Sequence, residues 1–94
     1  MTDADGTVRL PLSGEIDVGT IDAVRESVES AVAGGARSIT FDLADVTFLD
    51  SAALALFSQT ALRLPDGVVL ANPSDLVRRV IEATGLTQVL RPEA

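Results

Sequence analysis

The chain has 94 residues, 47% of them hydrophobic, and carries 14 acids against 7 bases for a formal net charge of −7. This length fits one domain with one modest core, and the composition is too apolar for a disordered tail. No apolar run approaches the roughly 18–20 residues of a membrane span, and the polar, acidic stretch Met1 to Gly6 is unlike a secretory signal.

There is no Cys, no His and no Lys; all seven cations are Arg. Disulfides, thiolate catalysis, Cys-based zinc sites, an imidazole base and a Ser-His-Asp triad are therefore ruled out. So are Schiff-base chemistry and the lysine of a P-loop. The acidic balance argues against a nucleic-acid partner, because such binding neutralises phosphates. With no Tyr, no Trp and three Phe, stacking platforms for bases are absent too. No cofactor is indicated. The counts favour an interaction module over an enzyme, and the acidity favours a cationic protein partner.

The first predicted strand is Thr7 to Ser13, where Val8, Leu10 and Leu12 alternate with Arg9, Pro11 and Ser13. Pro11 lacks an N–H, so this is expected to be an edge strand or one with an irregular end. Gly14 to Gly19 reads as a loop. A helix follows over about Thr20 to Ala33, with Thr20 as N-cap and Ile21, Val24, Val28, Ala31 and Val32 on one face. Gly34-Gly35 stops it.

The second strand is Ser38 to Leu43, followed by a loop from Ala44 to Asp50. Helix two spans about Ser51 to Arg63, capped by Asp50 or Ser51, with Leu54, Phe57, Ala61 and Leu64 as its buried stripe. Pro65-Asp66-Gly67 is a turn. Val68 to Ala71 is a short strand, apolar on both faces and so covered on both. Ser74 caps helix three, Asp75 to Thr84, with Leu76, Val77, Val80 and Ile81 apolar; Gly85 ends it. Leu86 to Leu90 is a last short strand or a docking tail.

Alternating strands and helices predict an α/β domain: a mainly parallel sheet of about four strands with three helices and right-handed crossovers. The expected domain is the whole chain, with its core over about residues 7–90. In such a sheet the functional loops lie beyond the carboxyl ends of the strands, so Asp17, Asp50, Ser51, Asn72 and Ser74 are expected to gather on one face. The plain structural reading of Asp50, Ser51 and Ser74 is helix capping. Glu15, Asp17, Asp45 and Asp50 could be weighed as a Mg²⁺ site, but their spacing matches no ligand pattern. A phospho-receiver domain would need a Lys that is missing, and Ser51 as a hydrolase nucleophile lacks a base.

Three blocks resemble one family. Leu12-Ser13-Gly14-Glu15-Ile16-Asp17 resembles the L-x-G-x-hydrophobic-D that closes an early strand in STAS domains, the anti-sigma-factor antagonist modules. Phe41-Asp42-Leu43-Ala44-Asp45-Val46-Thr47-Phe48-Leu49-Asp50-Ser51 resembles their central signature, which ends in D-S. Val69-Leu70-Ala71-Asn72-Pro73-Ser74 and Val80-Ile81-Glu82-Ala83-Thr84-Gly85-Leu86 are similar to the usual final strand and helix. The likeness runs from about Val8 to Leu90.

This resemblance implies a cytoplasmic switch protein. Its unphosphorylated form would bind an anti-sigma factor, often a GHKL-type serine kinase, and so free the sigma factor. The kinase would phosphorylate Ser51, and a phosphatase would reset it. Partner contacts would come from Asp17, Leu49, Asp50, Ala52, Asn72 and Ser74. The chain reads Asp50-Ser51-Ala52-Ala53 where family members often read D-S-S-G or D-S-T-G, putting a methyl where a partner backbone would approach. That departure motivates an alternative: a constitutive STAS-type subunit of a transporter ATPase or signalling assembly, never modified at Ser51.

Overall fold

The computed structural model describes residues 5–84 and 91–92. In chain order the elements are β1 (Thr7–Ile16), α1 (Ile21–Ala33), β2 (Ser38–Leu49), α2 (Ser51–Arg63), β3 (Val68–Ala71), α3 (Asp75–Ala83) and β4 (Arg91–Pro92). The strands form one sheet of order β1-β2-β3-β4 in which every neighbouring pair is parallel. Pro11 therefore lies on an edge strand, where its missing donor is tolerated. Gly85 and the expected strand at Leu86–Leu90 lie outside the described residues. The short β4 that is described pairs Arg91 with Val69 and Pro92 with Leu70.

β1 and β2 are longer than their sequence pattern suggests. The strands expected to stop at Ser13 and Leu43 run on to Ile16 and Leu49. The register explains why the extension was hidden. Pro11 faces Asp42 but Ser13 faces Asp45, and Gly14 faces Val46 but Glu15 faces Phe48. At each step β2 carries one extra residue, as a β-bulge does. Two such slips convert a period of two into a period of three: Leu43, Val46 and Leu49 are buried, while the residues between them are exposed. Gly14 adopts φ +73 at the second slip, a left-handed conformation that favours glycine.

The core lies between the sheet and its helices. Phe41 of β2 and Phe57 of α2 are both fully buried, their ring centroids 4.5 Å apart and tilted by 36°. Ile39, Leu43, Val28, Val68 and Val77 surround this level of the core. In α1 the buried residues are Ile21, Val24 and Val28, with Ala31 and Val32 packed partly against them. In α2, Leu54 and Phe57 are buried as expected, as is Leu64 just past its end, and Ala61 only partly. Ala53, Leu56 and Thr60 are buried as well, so α2 is embedded over a wider arc than one stripe. The Thr60 hydroxyl donates to the Leu56 carbonyl at 2.7 Å, which makes its burial tolerable. Of the apolar positions of α3, Val77 and Ile81 are buried, but Leu76 is 57% exposed. It is the second residue of its helix, turned off the packed face.

These packing relations predict unequal costs. Phe57→Ala should destabilise by about 3–5 kcal/mol, the usual cost of emptying a buried aromatic site, whereas Leu62→Ala, at a position 81% exposed, should stay within about 0.5 kcal/mol. Urea denaturation of both variants and the wild type checks this.

Candidate functional site

The extension of β1 and β2 creates the site. It carries both strands past the end of β3, which stops where Ala71 faces Asp42. At the far end, Ile16 pairs with Leu49 and the Ile16 carbonyl accepts from the Asp50 N–H at 3.2 Å. The chain then turns directly into α2, with Asp50 as its N-cap.

Asp50 holds two elements at once. Its Oδ1 accepts from the N–H groups of Ala52 (2.9 Å) and Ala53 (3.1 Å), satisfying two donors of the first helical turn. Its Oδ2 accepts from the Val18 N–H at 3.1 Å, which ties the β1–α1 loop to the head of α2.

That loop is also tied to itself. Asp17 Oδ1 accepts from the Gly19 N–H at 2.9 Å, and the Asp17 carbonyl accepts from the N–H groups of Thr20 and Ile21. Thr20 does not cap α1 with its side chain, as the sequence suggested. Its hydroxyl donates to the Glu15 carbonyl at 2.8 Å and accepts from the Asp17 N–H at 3.0 Å. The competing acceptor is the strand end, which the extended β1 brings within reach.

Ser51 is the first residue of α2. It is exposed, and among the described residues its hydroxyl has no hydrogen-bond partner. Of the two capping candidates Asp50 does the capping, which leaves the Ser51 hydroxyl available. Ala52 is half-buried and Ala53 fully buried. The methyl that replaces the family's glycine therefore points into the core, away from any docking partner.

The remaining expected contacts fall elsewhere. Leu49 is 1% exposed: the second slip turns it inward, so it supports the site from the core and offers no surface. Asn72 and Ser74 hydrogen-bond to partners other than Asp17, Asp50 and Ser51. Asn72 has φ 57 and donates to Asp42 Oδ1 at 3.4 Å, and Ser74 caps α3 by accepting from the Val77 N–H at 3.2 Å. No hydrogen bond among the described residues links this pair to the Ser51 group. The hydrogen bonds thus form two networks, one at the end of β3 and one at the end of the longer β2.

Asp42 is the centre of the network at the end of β3. The Ala44 N–H and the Arg9 guanidinium, which lies 3.0 Å away, hold its carboxyl below the usual carboxylate range. Glu15, Asp17, Asp45 and Asp50 belong to no cluster of three or more groups able to hold a metal ion among the described residues. No helix among the described residues is long and apolar enough to cross a membrane. The groove between β1 and α1, lined by Leu12, Ile16, Val24 and Ser27 among others, is open.

Together these features define a small parallel α/β module whose prominent polar group is an exposed serine at a helix start. The family model for the STAS domain matches residues 1–93, and the chain belongs to the STAS domain family. It is 32% identical over 94 residues to the anti-sigma-F factor antagonist RsfB of Mycobacterium tuberculosis, covering 97% of this chain and 76% of that one. An anti-sigma factor antagonist from Mycobacterium paratuberculosis superposes with a TM-score of 0.85 at 30% identity, over 96% of this chain and 79% of that one. The Bacillus cell fate determinant SpoIIAA superposes in both its forms. The unphosphorylated form gives a TM-score of 0.77 at 26% identity, over 100% of this chain and 85% of that one. The phosphorylated form gives 0.68 at 25%, over 100% and 88%.

Two predictions come from the carboxylates. Asp50→Ala should cost about 1–2 kcal/mol by loss of the cap. Asp50→Asn keeps an acceptor for the helix but turns a donor toward Val18. Its Val18 amide should exchange with solvent faster than in wild type, while those of Ala52 and Ala53 stay protected. Hydrogen exchange read by NMR distinguishes the two. For Asp42, a depressed folded-state value means stability that is present above the unfolded value near pH 3.9 and lost as pH falls through the folded one. Asp42→Asn should therefore be less stable than wild type at neutral pH, with the difference shrinking as pH falls through the folded-state value of Asp42. Denaturation at a series of pH values checks this.

Proposed function

We propose that this protein is an anti-sigma-factor antagonist that acts in the cytoplasm. Unmodified, it binds an anti-sigma factor of the GHKL serine-kinase type and so releases the sigma factor. The kinase transfers the γ-phosphoryl group of ATP to Ser51. The Oγ–P bond forms, the bond to the β-phosphate breaks, ADP leaves and the hydroxyl proton passes to a base on the kinase. The modified protein no longer docks, and a phosphatase restores it by hydrolysis. The protein's own role is regulatory rather than catalytic.

The observation that carries this reading is the Ser51 hydroxyl, exposed at the first position of α2 and without a hydrogen-bond partner among the described residues. A kinase can reach it without unfolding anything. A phosphate there adds about −1.5 to −2 charges beside the Asp50 carboxylate, which is already committed to Ala52, Ala53 and Val18. The helix N-terminus tolerates the anion within the domain. A partner surface fitted to a small neutral serine would instead meet bulk, repulsion and a desolvation cost. Loss of docking then needs no large change of shape. The names of the relatives support the same reading, since they are antagonists of anti-sigma factors and SpoIIAA has a phosphorylated form. The constitutive-subunit alternative drew on Ala52-Ala53, and the burial of Ala53 removes half of that motive.

Incubation with the source organism's kinase-type anti-sigma factor and ATP should add one phosphate to wild type by intact mass and none to Ser51→Ala. Equal labelling of both would place the site elsewhere. In calorimetry Ser51→Asp should bind the anti-sigma factor more weakly than Ser51→Ala, and equal affinities would contradict a charge mechanism.

A further inference from the structure

Four large apolar side chains are exposed among the described residues: Val18 (78%), Phe48 (43%), Leu62 (81%) and Leu76 (57%). Scattered exposed apolar residues are ordinary, but two of these adjoin Ser51. Val18 follows Asp17 in the β1–α1 loop, and its N–H rests on Asp50 Oδ2. Phe48 pairs with Glu15 in the last stretch of the β1–β2 ladder, just before Leu49 and Asp50. The hydrogen bonds that order this edge use the backbone of Val18 and ask nothing of its side chain. Phe48 sits at an outward position of the bulged strand, where a polar residue would hold the ladder equally well. Neither apolar side chain is explained by the fold.

The charge around them is one-sided. The segments nearest to them, residues 13–22 and 45–55, contain Glu15, Asp17, Asp22, Asp45 and Asp50 and no Arg, the first cation beyond them in α1 being Arg25. Asp17 and Asp50 are occupied by backbone donors. Glu15, Asp22 and Asp45 are exposed, and their carboxylates have no partner among the described residues. A second copy of this chain is a poor occupant, because the acidic rims would face each other.

We propose that Val18 and Phe48 are the apolar anchors by which the anti-sigma factor grips the Ser51 edge, seated in an apolar socket framed by Lys or Arg side chains. This rests on the function proposed above and names the chemistry of the partner's face. Interfaces concentrate their energy in a few desolvated apolar contacts, while charges at the rim govern the rate of encounter and its salt dependence. The two apolar residues set how long the complex lasts; Glu15, Asp22 and Asp45 set how fast it forms.

The probe is the source organism's purified kinase-type anti-sigma factor, bound to full-length protein and followed by calorimetry and stopped-flow kinetics, with Ser51 phosphorylation by intact mass in parallel. Val18→Ser and Phe48→Ser should each weaken binding at least tenfold through faster dissociation, with the urea midpoint unchanged for Val18→Ser and both variants folded by their amide spectra. Leu62→Ser, at the other end of α2, should bind as wild type. Glu15→Gln combined with Asp45→Asn should slow association severalfold and flatten its salt dependence. If wild type binds and is phosphorylated at Ser51 while Val18→Ser and Phe48→Ser bind like Leu62→Ser, this inference is overturned and the function stands. If wild type neither binds nor is phosphorylated, both fall.

Discussion

The Asp50 carboxylate is the contact on which the rest of this surface depends. One oxygen closes the first turn of α2 and the other holds the β1–α1 loop through Val18. A serine or threonine cap could satisfy the helix but has a single acceptor oxygen, and would leave the loop untied. Because Asp50 does the capping, the residue after it is relieved of that task. The exposed Ser51 hydroxyl is thus a consequence of how the helix start is built.

Asp50 stands where it does because two strands overrun the sheet. β3 stops beside Asp42, whereas β1 and β2 continue as a two-stranded arm to Ile16 and Leu49. Such an arm needs support, and the buried side chains of Val46 and Leu49 provide it. The two extra residues of β2 let these side chains reach the core while Thr47 and Phe48 stay outside. The bulges therefore do two things at once: they anchor the arm, and they turn an aromatic ring to solvent near the serine.

Much of this was legible in the sequence. Alternation marked the first halves of β1 and β2, the Pro65-Asp66-Gly67 turn marked the boundary before β3, and residue type and position gave the cap at Ser74 and narrowed the other to Asp50 or Ser51. The D-S pair pointed to Ser51 before any geometry was known. What stayed hidden was hidden for physical reasons. A bulged strand has no period of two, so Ala44 to Leu49 reads as a loop. Leu49 follows the exposed Phe48 without a break in hydrophobicity, and only the register shows which of the two is buried. Thr20 has the chemistry of a cap, but a nearer carbonyl takes its hydroxyl. Asn72 bonds to Asp42 because β3 stops beside that residue while β2 runs on to Asp50, so strand length as well as strand order sets which groups pair.

The proposed switch asks little of this framework. A rigid edge presents a neutral hydroxyl, and a dianion on that hydroxyl changes what the edge can face. The most direct test is to phosphorylate the protein stoichiometrically at Ser51 and titrate it and the unmodified form against the same anti-sigma factor. The account predicts that the phosphorylated form binds at least 100-fold more weakly (a loss of about 2.8 kcal/mol, at roughly 1.4 kcal/mol per tenfold), while the two forms give superposable amide spectra beyond the Ser51 edge. Equal affinity of the two forms would contradict it.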